Sequence, residues 1–240
     1  MKSDAPAKKD LSAVIADDIR AAIVSGDIAV DQRLPSEAEL SEHFNVSRPT
    51  VREALKRLAA QSLIRTRRGA SGGAFVRRLR FEDAHDSQIT QAALLLSMNA
   101  VHFDVACEAR FALERACVHL ACQRRTDSHL GRMQDEIRRQ NNTELSDEDF
   151  CASDVAFHRA LVDASDNPVL SFQLAGAVEG MQPLMNMITF SARSRAHIVS
   201  LHSAILNALT NRDAHQIDAQ LVELETYTRD VAAQLSAKRA

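Results

Sequence analysis

Apolar residues recur every three or four positions through almost the whole second half of the chain, a spacing that favours helix over other structures. The composition agrees, because the 240 residues include no Trp, one Tyr and only seven Gly. Asn141, Asn142 and Pro168 mark breaks in the repeat, and Pro183 predicts a kink. The predicted helices span 88–98, 103–123, 127–140, 145–164, 168–190, 194–210 and 213–236. Residues 89–240 are therefore predicted to form an all-α antiparallel helical bundle.

The first 80 residues follow a different pattern, in which short helices precede a hairpin. Apolar residues at helical spacing predict a helix over 11–25. Ser36 and Glu39 form a capping box for a second helix, and Ser47 caps a third with Pro49 in its first turn. Two strands at 63–67 and 74–77 flank a glycine-rich turn. This order predicts a winged helix-turn-helix domain over residues 1–80, followed by a polar linker at 81–88 and a mainly α fold overall.

Charge is distributed unevenly between these two parts. Residues 1–80 carry 15 Lys and Arg against 10 Asp and Glu, whereas the remaining 160 residues carry 14 against 22. From Arg48 to Arg80, ten basic residues accompany a single acid, Glu53. A basic segment beside an acidic domain is typical of a module that binds a polyanion.

The third predicted helix has the pattern of a recognition helix. Arg48, Arg52 and Lys56 are four residues apart, so they share one face. Arginines at the start of such a helix can reach guanine O6 and N7 in the major groove, and the hydroxyls of Ser47 and Thr50 suit phosphate or base oxygens. A solvated basic face is the alternative for any single arginine, but the adjacent basic wing favours DNA binding for the set.

Two runs in this region resemble the GntR superfamily of bacterial regulators. They are Arg33-Leu-Pro-Ser-Glu-Ala-Glu-Leu40 and Asn45-Val-Ser-Arg-Pro-Thr-Val-Arg-Glu-Ala-Leu55. The resemblance implies a homodimer that reads a near-palindromic double-stranded operator. Ala38 departs from the arginine common in the family, which removes one expected phosphate contact. The predicted DNA contacts are Arg33, Ser36, Ser47, Arg48, Thr50, Arg52, Lys56, Arg68 and Gly69.

A candidate metal site lies in the acidic half. Asp154 and His158 are four residues apart on one predicted helix, and His202 lies on a later one. A carboxylate and two imidazoles that meet in a bundle suit Zn²⁺, Ni²⁺ or Mn²⁺. Taken alone the pattern is weak, because such pairs often arise by chance.

A second resemblance strengthens this hypothesis. Residues 105–122, with Arg110 and Glu114, and the runs at 154–168 and 201–213 resemble the effector domain of FadR-type regulators, the FCD domain. The resemblance implies a small effector that carries a carboxylate, which Arg110 is suited to hold, although a plain salt bridge between Arg110 and Glu114 explains that pair equally well. The predicted effector contacts are Arg110, Asp154, His158, Asn167 and His202.

One expected metal ligand is missing. Leu224 lies 22 residues after His202, where metal-binding members of the family have a third histidine. Three interpretations therefore remain open: one divalent metal per chain held weakly with water, one held with help from Glu223 or Glu225, or a pocket that binds its effector without metal.

Other classes of protein fit the sequence less well. No apolar run is long enough to span a membrane, the start has no signal-peptide core, and the four cysteines form no CxxC pair, so a cytoplasmic protein is expected. No P-loop, dinucleotide fingerprint or nucleophilic triad is present, and the chain is not expected to be an enzyme. The sequence predicts a sequence-specific transcriptional regulator, most simply a repressor. A helical metalloenzyme and a sequence-independent architectural DNA-binding protein are the alternatives.

Overall fold

The computed structural model describes residues 10–69, 72–78, 80–98, 101–189 and 192–238, with the backbone alone at 188 and 189. They form two compact units that divide between Arg80 and Phe81. The first unit contains α1 (Leu11–Ser25), α2 (Glu37–His43), α3 (Arg48–Ala60), β1 (Ile64–Arg67) and β2 (Gly73–Val76). The second contains α4 (Phe81–Ser97), α5 (Phe103–Arg124), α6 (Asp127–Gln140), α7 (Asp147–Asp163), α8 (Pro168–Ala175), α9 (Gln182–Thr189), α10 (Arg195–Thr210) and α11 (Ala214–Ala237). The predicted fold class, a winged helix-turn-helix domain with an all-α bundle, is confirmed.

Local hydrogen bonds explain where the helices of the first unit begin. The Ser36 hydroxyl accepts from the Glu39 backbone N–H at 3.3 Å, and the Glu39 carboxylate accepts from the Ser36 N–H at 2.7 Å. This reciprocal capping box starts α2. The Ser47 hydroxyl accepts from the Thr50 N–H at 3.4 Å and starts α3.

The wing is a two-stranded antiparallel hairpin. Ile64 of β1 pairs with Val76 of β2, and Arg67 pairs with Gly73 at the turn end. Gly69 has a φ of 104°, a left-handed conformation that favours glycine in the turn. Ala70 and Ser71 of the predicted turn lie outside the described residues. The hairpin closes one side of a small core formed by Ile15, Ile19, Leu34, Leu40, Val51, Leu58, Ile64 and Val76.

The second unit is a helical bundle around one main apolar core. Helix α11 packs along α5, α7 packs on α6 and α5, and α10 packs on both α6 and α11. Fully buried Phe111, Phe157, Leu161, Ile205 and Leu221 lie in the centre. This arrangement brings polar side chains from α5, α7 and α10 to the middle of the bundle.

The predicted linker at 81–88 is wrong, because α4 begins at Phe81 and includes all of it. Glu82 and Asp83 lie in the first turn, where acidic side chains stabilise the positive end of the helix dipole. The apolar face follows only later, at Ala92 and Leu96, which are buried. A charged first turn therefore hid the helical period from the sequence analysis.

The helix predicted over 168–190 is interrupted next to the predicted kink at Pro183. A π-helical segment, Gly176–Met181, separates α8 from α9, while Pro183 lies in the first turn of α9. Helix α4 packs closely on this segment, since a Cβ added to Gly180 would lie 2.7 Å from the carbonyl oxygen of Ile89. The π-helical segment, whose turns are wider than those of an α-helix, ends directly before Gln182. This residue is fully buried and contacts the site described below.

Candidate DNA interface and buried ligand site

The predicted DNA contacts all lie on the surface of the first unit. Thr50 is half-buried, and the other eight residues are exposed: Arg33, Ser36, Ser47, Arg48, Arg52, Lys56, Arg68 and Gly69. They come from the segment before α2, where Arg33 forms a β-bridge with Phe75, from the starts of α2 and α3, from α3 itself and from the wing. The buried side chains of α3, Val51, Ala54 and Leu58, face the core of the unit, so the basic side chains face solvent.

Arg52 has a partner that the sequence analysis missed. Its Nε and Nη2 donate to the two carboxylate oxygens of Glu37 on α2, at 3.2 and 2.8 Å. The hydrogen bond from Arg52 lowers the pKa of Glu37. Both side chains are exposed, and exposed ion pairs contribute at most about 1 kcal/mol, so DNA can readily replace Glu37 as the partner of Arg52.

Other side chains of the interface also have internal contacts. Lys56 Nζ lies 3.4 Å from Glu53 Oε2, and the hydroxyls of Ser47 and Thr50 are 2.8 Å apart. The Ser47 hydroxyl thus serves both the cap of α3 and the candidate interface.

The three predicted metal ligands meet inside the second unit. Asp154 and His158 come from α7 and His202 from α10, and one donor atom from each lies within 4.8 Å of the others. All three residues are buried. Among the described residues, the Nε2 atoms of both histidines have no hydrogen-bond partner, although a buried ring nitrogen normally has one.

The partners of the histidines explain why these nitrogens face inward unprotonated. His158 Nδ1 lies 2.6 Å from Glu114 Oε2, and His202 Nδ1 lies 2.8 Å from Gln140 Oε1. Both partners are oxygen acceptors, so each Nδ1 carries the hydrogen and each Nε2 has a free lone pair. His202 Nε2 then lies 3.3 Å from Asp154 Oδ1 with no hydrogen between them. Facing lone pairs held by carboxylate and amide partners fit a metal cation.

Glu114 links this group to Arg110. Arg110 Nε donates to Glu114 Oε1 at 2.7 Å, so the salt bridge considered from the sequence is present. Burial opposes ionisation of Glu114, but the neighbouring His158 and Arg110 lower its pKa to about 2. Arg110 Nη2 is buried and has no hydrogen-bond partner in the described part of the chain, so one donor stays available to a ligand.

Asp154 is surrounded by further polar groups. Its Oδ2 accepts from Gln182 Nε2 at 2.7 Å and from Asn186 Nδ2 at 2.8 Å, and Arg193 Nη1 lies 3.6 Å away. Burial opposes ionisation, but the positive charge of the nearby Arg193 holds the pKa of Asp154 well below its usual range. Burial lowers the pKa of His202 to about 4, so that ring is neutral near pH 7. No periodicity or motif in the sequence pointed to Gln182, Asn186 or Arg193.

A small cavity of about 20 Å³ adjoins this group. That volume admits roughly one water molecule. Its lining includes Arg110, Asp154, His158, Arg193, Leu224 and Tyr227. The buried Leu224 side chain thus lines the cavity and offers it no ligand atom.

Two other predicted contributors lie elsewhere. The Asn167 side chain accepts from the N–H groups of Val169 and Leu170 and caps α8, and the structure does not bring it to this group. Glu223 is exposed, and Glu225 pairs with Arg229 at 3.4 Å. Neither glutamate belongs to the group of candidate metal ligands among the described residues.

Comparison with known families gives two matches. The model of bacterial regulatory proteins of the gntR family matches residues 11–76, and the FCD domain model matches residues 106–225. The second match includes Arg110, Asp154, His158, His202 and Leu224. In the part of the chain that the structure describes, no helix is long and apolar enough to cross a membrane.

Individual relatives agree with these matches. The HTH-type transcriptional regulator LutR of Bacillus subtilis (strain 168) is 31% identical over 214 residues, which cover 87% of this chain and 95% of LutR. The galactonate operon transcriptional repressor of Escherichia coli (strain K12) is 28% identical over 210 residues, which cover 86% of this chain and 90% of the repressor. The solved structure of Streptococcus agalactiae GntR has a TM-score of 0.57 at 20% identity, over 93% of this chain and 99% of that one, and so shares the fold.

Proposed function

The chain belongs to the gntR family of bacterial regulatory proteins and carries an FCD domain, so it is a transcriptional regulator, and we propose that it represses an operon until a small carboxylate-bearing effector binds. The proposal places it in the cytoplasm as a homodimer on a near-palindromic operator. The observation that carries the effector part is the buried group of Asp154, His158 and His202 with its unpartnered ring nitrogens.

The exposed basic face of α3 supports operator binding. Arg48 and Arg52 are in the N-terminal part of α3, the second helix of a helix-turn-helix, where side chains reach base edges. The wing residues Arg68 and Gly69 lie at the end of the hairpin, suited to contact the DNA backbone. In this proposal Arg52 leaves Glu37 for guanine, because both partners offer it two acceptors.

The second unit supplies the proposed effector site. Asp154, His158 and His202 hold a divalent metal, with Glu114 and Gln140 fixing the two imidazole rings. A bound metal supplies a Lewis-acidic centre that attracts a carboxylate. Arg110 positions that carboxylate through its free Nη2, and Leu224 leaves one side of the site without a protein ligand. The name of the galactonate operon repressor refers to a carboxylate, which agrees with this chemistry.

An exposed apolar face on α5 supports the dimer. Its members recur at intervals of one to four residues on one side of the helix, and Val105 is 59% and Leu113 38% exposed. They are Val105, Ala109, Ala112, Leu113 and Ala116. An apolar helix face of this kind is buried when it meets a partner helix.

The charges beside this face favour a second copy of the chain as that partner. Asp104 and Glu108 lie in the N-terminal part of α5, whereas Arg115 and His119 lie in its C-terminal part. Two α5 helices that pack antiparallel about Ala112 therefore place the acids of one copy beside the bases of the other. Such self-complementarity is a requirement of a two-fold interface.

A substitution at Ala112 tests the dimer. Ala112→Arg places two arginines together at the two-fold axis, so it should give monomers in analytical ultracentrifugation and weaken operator binding. Val169→Arg, at an equally exposed apolar position on α8, should leave the dimer intact. Dimers that persist in Ala112→Arg would contradict this interface, and one chain per operator at saturation would contradict the dimer itself.

Release of the operator by effector tests the whole proposal. Purified protein, loaded with Zn²⁺, should bind its own promoter in preference to random DNA and release it when a small carboxylate is added. Equal binding to both DNAs would indicate the architectural alternative. Conversion of the added carboxylate into another compound would indicate the metalloenzyme alternative.

A further inference from the structure

Arg193 is a buried cation that the proposed function does not use. It lies two residues before α10, and its side chain is 7% exposed. Its Nη1 donates to Asn186 Oδ1 at 3.0 Å, and its Nη2 lies 3.0 Å from Cys151 Sγ. The same guanidinium is 3.6 Å from Asp154 and lines the cavity. The site therefore contains two buried arginines, Arg110 and Arg193.

The side chains of the site balance one another in charge. Arg110 is paired with Glu114 at 2.7 Å, and the nearest carboxylate to Arg193 is Asp154. An imidazole that donates from Nδ1 and coordinates a metal through Nε2, as His158 and His202 are placed to do, adds no charge. Two guanidinium groups thus accompany two carboxylates, and buried charges are stable when they are paired in this way.

A divalent metal changes this balance. It adds two positive charges, and it takes Asp154 as a ligand, so Arg193 shares with the metal the one carboxylate that pairs with it among the described residues. Glu114 remains committed to Arg110 and to the His158 ring. The loaded site has a surplus of two positive charges in a buried environment, which is unfavourable unless an anion compensates it.

We propose that the effector is a small dicarboxylate, whose first carboxylate meets the metal and the free Nη2 of Arg110 and whose second meets Arg193. This inference rests on the proposed metal and effector site. A dianion compensates both surplus charges. A monocarboxylate compensates only one of them and leaves Arg193 to share Asp154 with the metal. The planar fork of Arg193 offers two parallel donors to such a carboxylate.

The cavity beside the metal ligands is too small for the proposed effector. A space of about 20 Å³ is smaller than any dicarboxylate, so binding requires a side chain to move. Arg193 is suited to this movement, since it lies outside a helix and its contact with Asp154 weakens once the metal binds. Effector binding then breaks the hydrogen bond from Arg193 to Asn186 on α9. Through this bond, occupancy of the site can affect the position of α9.

Calorimetric titration of the Zn²⁺-loaded, full-length protein tests the inference. Malonate and succinate are the dicarboxylate probes, and acetate, propionate and lactate are the monocarboxylate probes. Wild-type protein should bind the better dicarboxylate about thirtyfold or more tightly than any monocarboxylate, the scale expected for a buried charge pair. Arg193→Gln should abolish this preference, while Arg193→Lys should retain part of it.

Arg195→Gln is the matched control. Arg195 lies two residues away, pairs with Asp147 outside the site and does not line the cavity. This variant should keep the dicarboxylate preference. Wild-type protein that binds monocarboxylates as tightly as dicarboxylates overturns the inference, as does a preference that survives in Arg193→Gln. Wild-type protein that binds neither Zn²⁺ nor any of the five carboxylates overturns the proposed effector site as well, which separates the two failures.

Discussion

The two proposed functional regions of this chain hold their charged side chains in opposite environments, one exposed to solvent and the other buried. The DNA face holds its arginines in solvent, where Arg52 and Glu37 form an exposed ion pair. The effector site holds its arginines inside the bundle, where Arg110 and Glu114 form a buried one at a similar distance. Exposed pairs contribute little to stability, whereas a buried pair that loses one member leaves an uncompensated charge.

This difference separates two kinds of mutational effect. Side chains of the DNA face can exchange an internal partner for DNA with little change in folding free energy. Removing a charged side chain of the effector site should lower stability as well as binding, because each of these charges has its partner inside the site. Binding and stability should therefore vary independently in the first unit and together in the second.

The largest expected effect is on the buried pair. Glu114→Ala removes the acceptor of Arg110 Nε and of His158 Nδ1, and it should lower the free energy of unfolding by about 3 to 5 kcal/mol. Urea denaturation followed by tyrosine fluorescence measures this in the second unit, because Tyr227 is the only tyrosine of the chain. Asp218→Ala breaks the partly exposed pair with Arg115 and should lower it by less than about 1 kcal/mol. Equal losses in the two variants would refute the contrast.

Acid should reveal the same contrast through His202. Its pKa is 6.5 in the reference state and about 4 in the folded protein, so the unfolded chain binds the proton first. The contribution of neutral His202 to the free energy of unfolding should be complete above pH 6.5. It should fall by roughly 3 kcal/mol as the pH drops from 6.5 to 4. Glu114, with its pKa lowered from 4.5 to about 2, extends the decline below pH 4.5. His202→Gln should flatten the curve between pH 6.5 and 4, and an unchanged slope there would assign the loss to other groups.

A smaller effect is expected on the DNA face. Arg52→Ala should weaken operator binding by about 1 to 3 kcal/mol and relax sequence preference, with little change in stability. Arg57→Ala on the same helix breaks a similar exposed pair with Asp10 and should leave specificity unchanged. Fluorescence anisotropy with operator and random DNA distinguishes them. If Arg52→Ala loses the same affinity for both DNAs, Arg52 contacts phosphate and does not read bases.

The parts of the fold that local chemistry determines were predictable. Ser36 and Ser47 identify their helix starts because a cap needs a hydroxyl at one position, and Gly69 identifies the wing turn. The helix at 81–88 was missed because its first turn is charged and its apolar contacts lie in a distant segment. The π-helical segment was missed because no local pattern distinguishes it from an α-helix, and its close contact at Gly180 is with a helix distant in sequence, α4.

The candidate site divides in the same manner. Asp154 and His158 are visible as an i,i+4 pair with His202 on a later helix, and the resemblance added Arg110 and the absence of a ligand at Leu224. Arg193 carries no local signal, because it lies between helices and reaches Asp154 only through the tertiary fold. Asn167 has a motif that fits a helix cap as well as a ligand contact, and the structure uses it as a cap.

The smallest effect, and the sharpest test of the buried site, concerns Leu224. Its side chain lines the cavity beside Asp154 and His158, so Leu224→His should place a third imidazole next to the metal ligands. Affinity for Zn²⁺ or Ni²⁺ should rise by at least about tenfold, which corresponds to roughly 1.4 kcal/mol, because a protein ligand replaces water. Competition with a chromophoric chelator measures the change, and Val222→His, at an exposed position on the same helix, is the control. Wild-type protein that already holds one metal per chain tightly, with no gain in Leu224→His, would show that the fourth ligand comes from elsewhere. Metal that stays bound in His158→Ala would show that it is held outside this site.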